Sequence, residues 1–281
     1  MDAAFRFQCE DVDVAEKPED DATAVKLDTN IPQTARIWNY LLGGKDNFAA
    51  DRAVGDQITE AMPHLGTYAR LSRKYLARAV HYLATEVGIR QFLDIGTGLP
   101  TADNTHEVAQ RAASDARIVY VDNDPLVLAH ARALLTSTPD GATAYVDASL
   151  YHPEAILEEA GKTLDLKQPV ALMLMGIIGH VESDEEAKSI IDRLMAGLPS
   201  GSYLAMYDGS DTEEAVVEAA RIWNISAEPK YHLRSPERIA ALFDGLEIIE
   251  PGVVSVTRWK PDEEALAAPD IAQVAGVGRK A

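Results

Sequence analysis

Two periods of apolar residues alternate along the chain. Residues 68–87, "YARLSRKYLARAVHYLATEV", place Leu71, Tyr75, Ala79, Val80, Leu83 and Val87 on one stripe. That spacing predicts an amphipathic helix stopped by Gly88. Five short apolar runs follow: "QFLDI" from 91, "RIVYV" from 117, "ATAYV" from 142, "PVALMLM" from 169 and "SYLAMY" from 202. Helical patterns fill the gaps, opened by a Ser183/Glu186 capping box and by Ser235-Pro236. Strands separated by helices predict a parallel sheet with helices on both faces, an α/β fold. In "LEIIEPGVVSVTRW" two β-rich runs flank Pro251-Gly252. So short a connection predicts antiparallel neighbours and a last strand that runs backwards. This departs from the all-parallel dinucleotide-binding double unit.

The ends lack this periodicity. Residues 1–28 are rich in acid and bury too little to offset their ordering, so a flexible arm is expected. Residues 261–281 are expected to form a flexible tail for the same reason. Between them no repeat or linker divides the body. A helical cap over 29–90 and a ligand-binding domain over 91–260 are expected.

Charge and cysteine usage narrow the function classes. A formal net charge of -19 without any Lys/Arg cluster argues against a nucleic-acid partner. The single cysteine, Cys9, fits a reducing compartment, and no apolar run suits a membrane span, so a cytoplasmic protein is expected.

Candidate chemistry starts at "FLDIGTGLP", residues 92–100. Gly96 and Gly98 allow a tight turn that brings backbone amides close to a ligand. A dinucleotide site would add a third glycine three residues on, for helix packing beside a pyrophosphate, but position 101 is threonine. Asp122 ends the next apolar run 28 residues after Asp94, against about 20 in the dinucleotide fingerprint.

The series "LDIGTG", "VYVDNDP", "YVDA" and "LMLMGIIGHV" resembles the class I S-adenosylmethionine-dependent methyltransferases. More narrowly, "ARIWNYLLGGKDNFAADRAV", "FLDIGTGLPTADNTHEVAQ" and "FDGLEIIEPGVVSV" resemble an actinobacterial S-adenosyl methyltransferase family long catalogued as a domain of unknown function. The resemblance implies a Rossmann-like fold with a seven-stranded, mostly parallel sheet, one antiparallel strand and an N-terminal helical lid. It also implies S-adenosylmethionine as cofactor and S-adenosylhomocysteine as product. With no phosphate to cradle, the loop Gly96-Thr97-Gly98 needs no third glycine. Asp94 would accept hydrogen bonds from the cofactor's amino group, and Asp122 would take both ribose hydroxyls. Asn123 would border the adenine, and Asp147 with Ala148 would receive the adenine amino group, although an aspartate there can equally cap the next helix. Met175, Gly176 and Ile177 would line the pocket.

In "YLLGGKDNFAADR" the pair Gly43-Gly44 breaks a helix whose apolar face is Ile37, Tyr40 and Leu41. Lys45 would meet the cofactor's carboxylate, with Tyr40 and Asn47 supplying hydrogen bonds, in a segment that closes over the site. The alternative is an ordinary surface turn capped by Asp46 or Asn47. His180, beside the fourth strand, titrates near neutral pH and is the candidate general base, or else a structural hydrogen-bonder. His106 faces the same choice; the pair His106-Glu107 lacks a second ligand at helical spacing, so no metal is proposed.

These residues predict a methyltransferase acting on a small-molecule acceptor. The alternatives are a non-catalytic S-adenosylmethionine-binding regulator and a nicotinamide-dependent oxidoreductase. A transferase requires an acceptor cavity beside the methyl group, whereas a pure binder can be sealed there.

Overall fold

The computed structural model describes residues 28–134 and 136–281; residues 1–27 of the expected flexible arm, Cys9 among them, lie outside the described residues. The five apolar runs form β1 (Gln91–Ile95), β2 (Arg117–Asp122), β3 (Ala142–Asp147), β4 (Ala171–Met175) and β5 (Tyr203–Gly209), all parallel. The sheet order is β3-β2-β1-β4-β5-β8-β6, where β6 is Glu247–Ile248 and β8 is Gln273–Arg279. A short β7 (Val254–Ser255) also pairs with β8.

Period-two alternation divides the core between the faces. Phe92, Ile118, Met173, Ala205 and Val277 face one cluster, and Leu93, Val119, Leu172, Leu204 and Val274 the other. The first face carries α1 (Thr34–Leu41), α2 (Ala49–Ala61), α3 (Leu65–Tyr82), α4 (Thr105–Ala112) and α8 (Glu214–Ser226). The second carries α6 (Pro153–Ala160), α7 (Asp184–Ala196) and α9 (Pro236–Ala241). Helix α5 (Pro125–Leu134) follows β2, and α10 (Glu263–Ala267) precedes β8. The predicted stops and caps are present. A π-turn at Leu83–Val87 continues α3 to Gly88 at φ 87°. The hydroxyls of Ser183 and Ser235 accept the Glu186 and Arg238 amides.

Two sequence expectations are corrected at the C-terminal end. Pro251-Gly252 does not turn a hairpin. Strands β6 and β7 both run antiparallel to β8, and the Ile249 amide donates to the Val277 carbonyl oxygen between them. The two runs are thus one edge strand interrupted at Pro251-Gly252, so eight strands occupy seven positions in the sheet. The antiparallel strand is β8, from the stretch expected to be a flexible tail. It is buried between β5 and the β6–β7 edge, and the Lys280 ammonium donates to the Met195 and Leu198 carbonyl oxygens. Its apolar signal is weak because "QVAGVGR" spends two positions on glycine. Tight packing requires both: a Cβ on Gly278 would lie 2.9 Å from Leu246 Cβ, and one on Gly276 3.0 Å from Val253.

The strand order reverses between β1 and β4, with β2 and β3 to one side and β5 to the other. In open α/β sheets the crevice beyond the strand ends at such a point receives the ligand.

Candidate active site

At that crevice a cleft of about 230 Å³ runs from the loops after β1 and β2, past the end of β4, to the helices α1, α2 and α8. Its charged end is built by β1 and its turn. Gly96 sits at φ 74° against Ile177, whose Cβ would be 2.7 Å from any Cβ placed on it, so only glycine fits. Gly98, at φ 64°, has no other described residue within 4 Å of its missing Cβ apart from its chain neighbours. The Gly98 and Asp124 amides donate to the two oxygens of Asp122 at 2.9 and 3.0 Å, so this carboxylate holds the loops after β1 and β2 together. Burial raises its pKa.

Asp94 is 3% exposed, and its carboxylate accepts the Thr105 hydroxyl. Burial pushes its pKa up to about 6, against opposing pulls from the Thr105 hydrogen bond and the charge of Arg73. Arg73, on α3, donates through Nη2 to the carbonyl oxygens of Ala102 and Asp103 at 3.3 and 3.1 Å. Its buried Nε has no partner among the described residues.

The cleft brings together Asp94, Gly96, Thr97, Gly98, Asp122, Asn123, Met175, Gly176, Ile177 and His180 of the residues singled out in the sequence. It does not gather the others. Asp147 ends β3 beside Asp122 but is exposed, and it flanks the cleft with Ala148 rather than lining it. Tyr40, Gly43, Gly44, Lys45 and Asn47 also stay outside it. Helical geometry gives the reason. Ala35, Trp38, Asn39 and Leu42 share the face of α1 that covers the cleft, while Tyr40 points about 200° away from Trp38. Its ring packs on Gly55 of α2, and its hydroxyl donates to Asp56 at 2.6 Å. Lys45 is exposed. Asn47 is buried and stiffens the Gly-Gly turn, donating to Asn39 Oδ1 at 2.9 Å and to the Gly44 carbonyl oxygen at 3.0 Å. Asp46 ties the turn to α5 through His130 at 3.2 Å. Helix α1, rather than the turn that follows it, therefore covers the cleft.

The two histidines separate. His106 is buried where α4 packs on β2, its Nδ1 2.9 Å from the Tyr120 hydroxyl, and it does not line the cleft. His180 does. Its Nδ1 lies 2.7 Å from the Lys230 carbonyl oxygen, a contact that requires Nδ1–H and leaves Nε2 as a free acceptor. Burial lowers its pKa, so the ring is neutral at pH 7.

Several lining residues escaped sequence reasoning: Trp38, Tyr68, Arg73, Tyr207, Trp223, Tyr231 and Gln273. Arg73 carried a weak signal, an arginine on the flank of the apolar stripe of α3 between Leu71 and Tyr75. The rest come from elements whose placement against the sheet no local pattern reveals.

Residues 20–281 match a family model described as S-adenosyl methyltransferase. The chain belongs to the S-adenosyl methyltransferase family. A Streptomyces avermitilis protein of the DUF574 family is 44% identical, with 90% of this chain and 99% of that one covered and a TM-score of 0.87. A Thermobifida fusca putative methyltransferase is 41% identical, with 89% and 96% covered and a TM-score of 0.82. The plantazolicin methyltransferase BpumL, solved with a monoazolic substrate analogue and S-adenosylhomocysteine, shares the fold at 11% identity and a TM-score of 0.52, with 88% and 95% covered. No curated protein matches. This family member is an S-adenosylmethionine-dependent methyltransferase with the mostly parallel Rossmann-like sheet of its class. None of its described helices is long and apolar enough to cross a membrane.

Proposed function

We propose that the protein transfers the methyl group of S-adenosylmethionine to a small-molecule acceptor held at the inner end of the cleft. One observation carries this reading: the cleft does not end at Gly176 and Ile177, but continues into an open chamber under α1, α2 and α8. A protein that only binds the cofactor has no need of that space.

The charged end suits the cofactor's own groups. The partnerless Nε of Arg73 offers a donor for the carboxylate, in place of Lys45, and Asp94 offers an acceptor for the ammonium. Asp122 takes the ribose hydroxyls, Asn123 borders the adenine, and the backbone of Gly96-Thr97-Gly98 with Met175, Gly176 and Ile177 forms the walls. When bound, S-adenosylmethionine supplies an electrophilic methyl on a sulfonium, a cation favoured near the buried Asp94 and the half-buried Asp122 carboxylates. The cleft would hold the acceptor beside that methyl, which lowers the entropy cost of bringing the two together. His180, with Nδ1–H committed to Lys230, takes at Nε2 the proton that the acceptor's O–H or N–H loses and releases it to water.

No nucleic acid or membrane surface enters the proposal. The net charge of -19 without a lysine or arginine cluster speaks against a nucleic-acid partner, and the single cysteine suits a reducing, cytoplasmic setting. Titration calorimetry with S-adenosylmethionine, S-adenosylhomocysteine and NADH tests the cofactor assignment. Micromolar binding of the first two, with none of NADH, is expected. Binding of NADH alone, or of nothing, refutes it. For the base, His180→Gln is expected to keep S-adenosylhomocysteine affinity while slowing transfer to a hydroxyl acceptor about 10²-fold or more.

A further inference from the structure

We propose that the inner chamber is shaped for an uncharged, largely aromatic small molecule; this rests on the reading of the chamber as the acceptor site. The charges along the cleft are segregated. Arg73, Asp94, Asp122 and Asp124, the carboxylates and guanidinium among the described lining residues, all belong to β1, β2 or the loops after them, or reach those loops. The chamber beyond is walled by aromatic rings from separate elements: Trp38 of α1, Tyr68 of α3, Trp223 of α8 and Tyr231 of the loop after it. Small side chains of α8, Ala219 and Ala220, complete the lining and leave room for a flat ring system between the aromatic walls.

The polar atoms behind these walls are arranged for a neutral guest. Glu213 accepts the Tyr68 hydroxyl at 2.6 Å and the Ala272 amide at 3.1 Å. The Tyr231 hydroxyl donates to Asp208, whose carboxyl burial pushes up to about 6. Glu213 is thus engaged from within the protein and Asp208 through Oδ1, its buried Oδ2 having no partner among the described residues, and the described residues of the chamber wall include no lysine or arginine to receive an anion. Gln273, at the start of β8, is 7% exposed and lines the chamber, and its side-chain oxygen is buried without a hydrogen-bond donor among the described residues. A buried amide oxygen without a donor is costly, and a neutral O–H or N–H on the guest satisfies it without placing a net charge among the rings. The acceptor class that follows is a phenol, or an uncharged heteroaromatic amine or amide, rather than a sugar, a carboxylic acid or an ammonium compound.

Calorimetry on the full chain tests this in two steps. S-adenosylhomocysteine is titrated first, and its failure to bind sinks the methyltransferase reading itself. The saturated protein is then titrated with three probes on one ring system, each substituted at the same position: 2-naphthol, naphthalene-2-sulfonate and 2-naphthylmethylammonium. The expected result is 2-naphthol binding at least 10-fold tighter than either ion. Ala220→Phe, which fills the chamber from a position away from the cofactor end, is expected to weaken 2-naphthol at least 10-fold and to leave S-adenosylhomocysteine within 2-fold. If S-adenosylhomocysteine binds but 2-naphthol does not, or if either ion binds as tightly, the proposed acceptor class is wrong. Undiminished 2-naphthol binding in Ala220→Phe also overturns it, because the guest then lies elsewhere.

Discussion

Replacing Asp94 by asparagine should move stability and cofactor affinity in opposite directions. Asp94 is 3% exposed and its pKa is raised to about 6 from an ordinary value of 3.8. A carboxyl with a raised folded pKa adds stability in full below pH 3.8, where it is protonated folded or unfolded. That contribution falls as the unfolded chain ionises, and it is gone once pH passes about 6. A carboxyl whose pKa is raised from 3.8 to about 6 carries roughly 3 kcal/mol of ionisation penalty in the ligand-free protein at pH 8. Asparagine keeps an oxygen for the Thr105 hydroxyl and removes the penalty, so Asp94→Asn is expected to be more stable than wild type at pH 8 by up to that amount. The gap should close as pH falls toward 4. The same charge serves the ligand: losing an ionic acceptor for an ammonium costs about 1.5–3 kcal/mol, or about 10- to 150-fold in S-adenosylhomocysteine affinity at pH 8. Wild-type affinity should also weaken as pH drops through 6, and that of Asp94→Asn should be flat there. Urea unfolding and calorimetry at pH 5 and pH 8 read both effects. A variant less stable at pH 8, or one that binds as well as wild type, would refute the reasoning.

Three further outcomes are expected. Arg73→Gln should weaken S-adenosylhomocysteine by about 10-fold or more, as loss of a charged hydrogen-bond donor does, while Lys45→Ala changes it less than 2-fold; calorimetry distinguishes the two cations, and the reverse result would restore Lys45 to the site. Gly96→Ala should destabilise by about 1–3 kcal/mol in denaturant unfolding, because φ is 74° and the new Cβ meets Ile177. Ile177→Ala should not rescue it, since Ile177 Cβ itself lies 2.7 Å from the added atom. Truncation after residue 270 removes β8 and leaves the edge of β5 unpaired. A loss exceeding about 5 kcal/mol, seen as an unfolded or aggregated product by circular dichroism, is expected, whereas a fully folded product would mean that β8 contributes little.

The chain itself determined much of the fold, and its local patterns show why. Strands β1, β2, β4 and β5 are buried on both faces, so their apolar runs are continuous and legible, while β3 lies half-buried at the sheet edge. Helix α3 writes its stripe in the 3.6-residue period, and Gly96 and Asp122 sit at strand ends that any reading of the runs would find. Other features needed long-range partners. Strand β8 reads as a loose tail because its glycines make room for Phe243 and Leu246, which come from a distant turn. The Pro-Gly turn in the edge strand looked like a hairpin until β8 supplied a common partner for both halves. Lys45 and Arg73 are both cations near an apolar helix in sequence, and only the packing of α1 and α3 over the sheet decided which one faces the cleft. The chamber was not legible at all, because its aromatic walls come from α1, α3, α8 and a loop between residues nearly 200 positions apart. A periodic pattern records which face of an element is buried; which other element covers that face, and what space is left between them, is set by the sum of contacts across the whole fold.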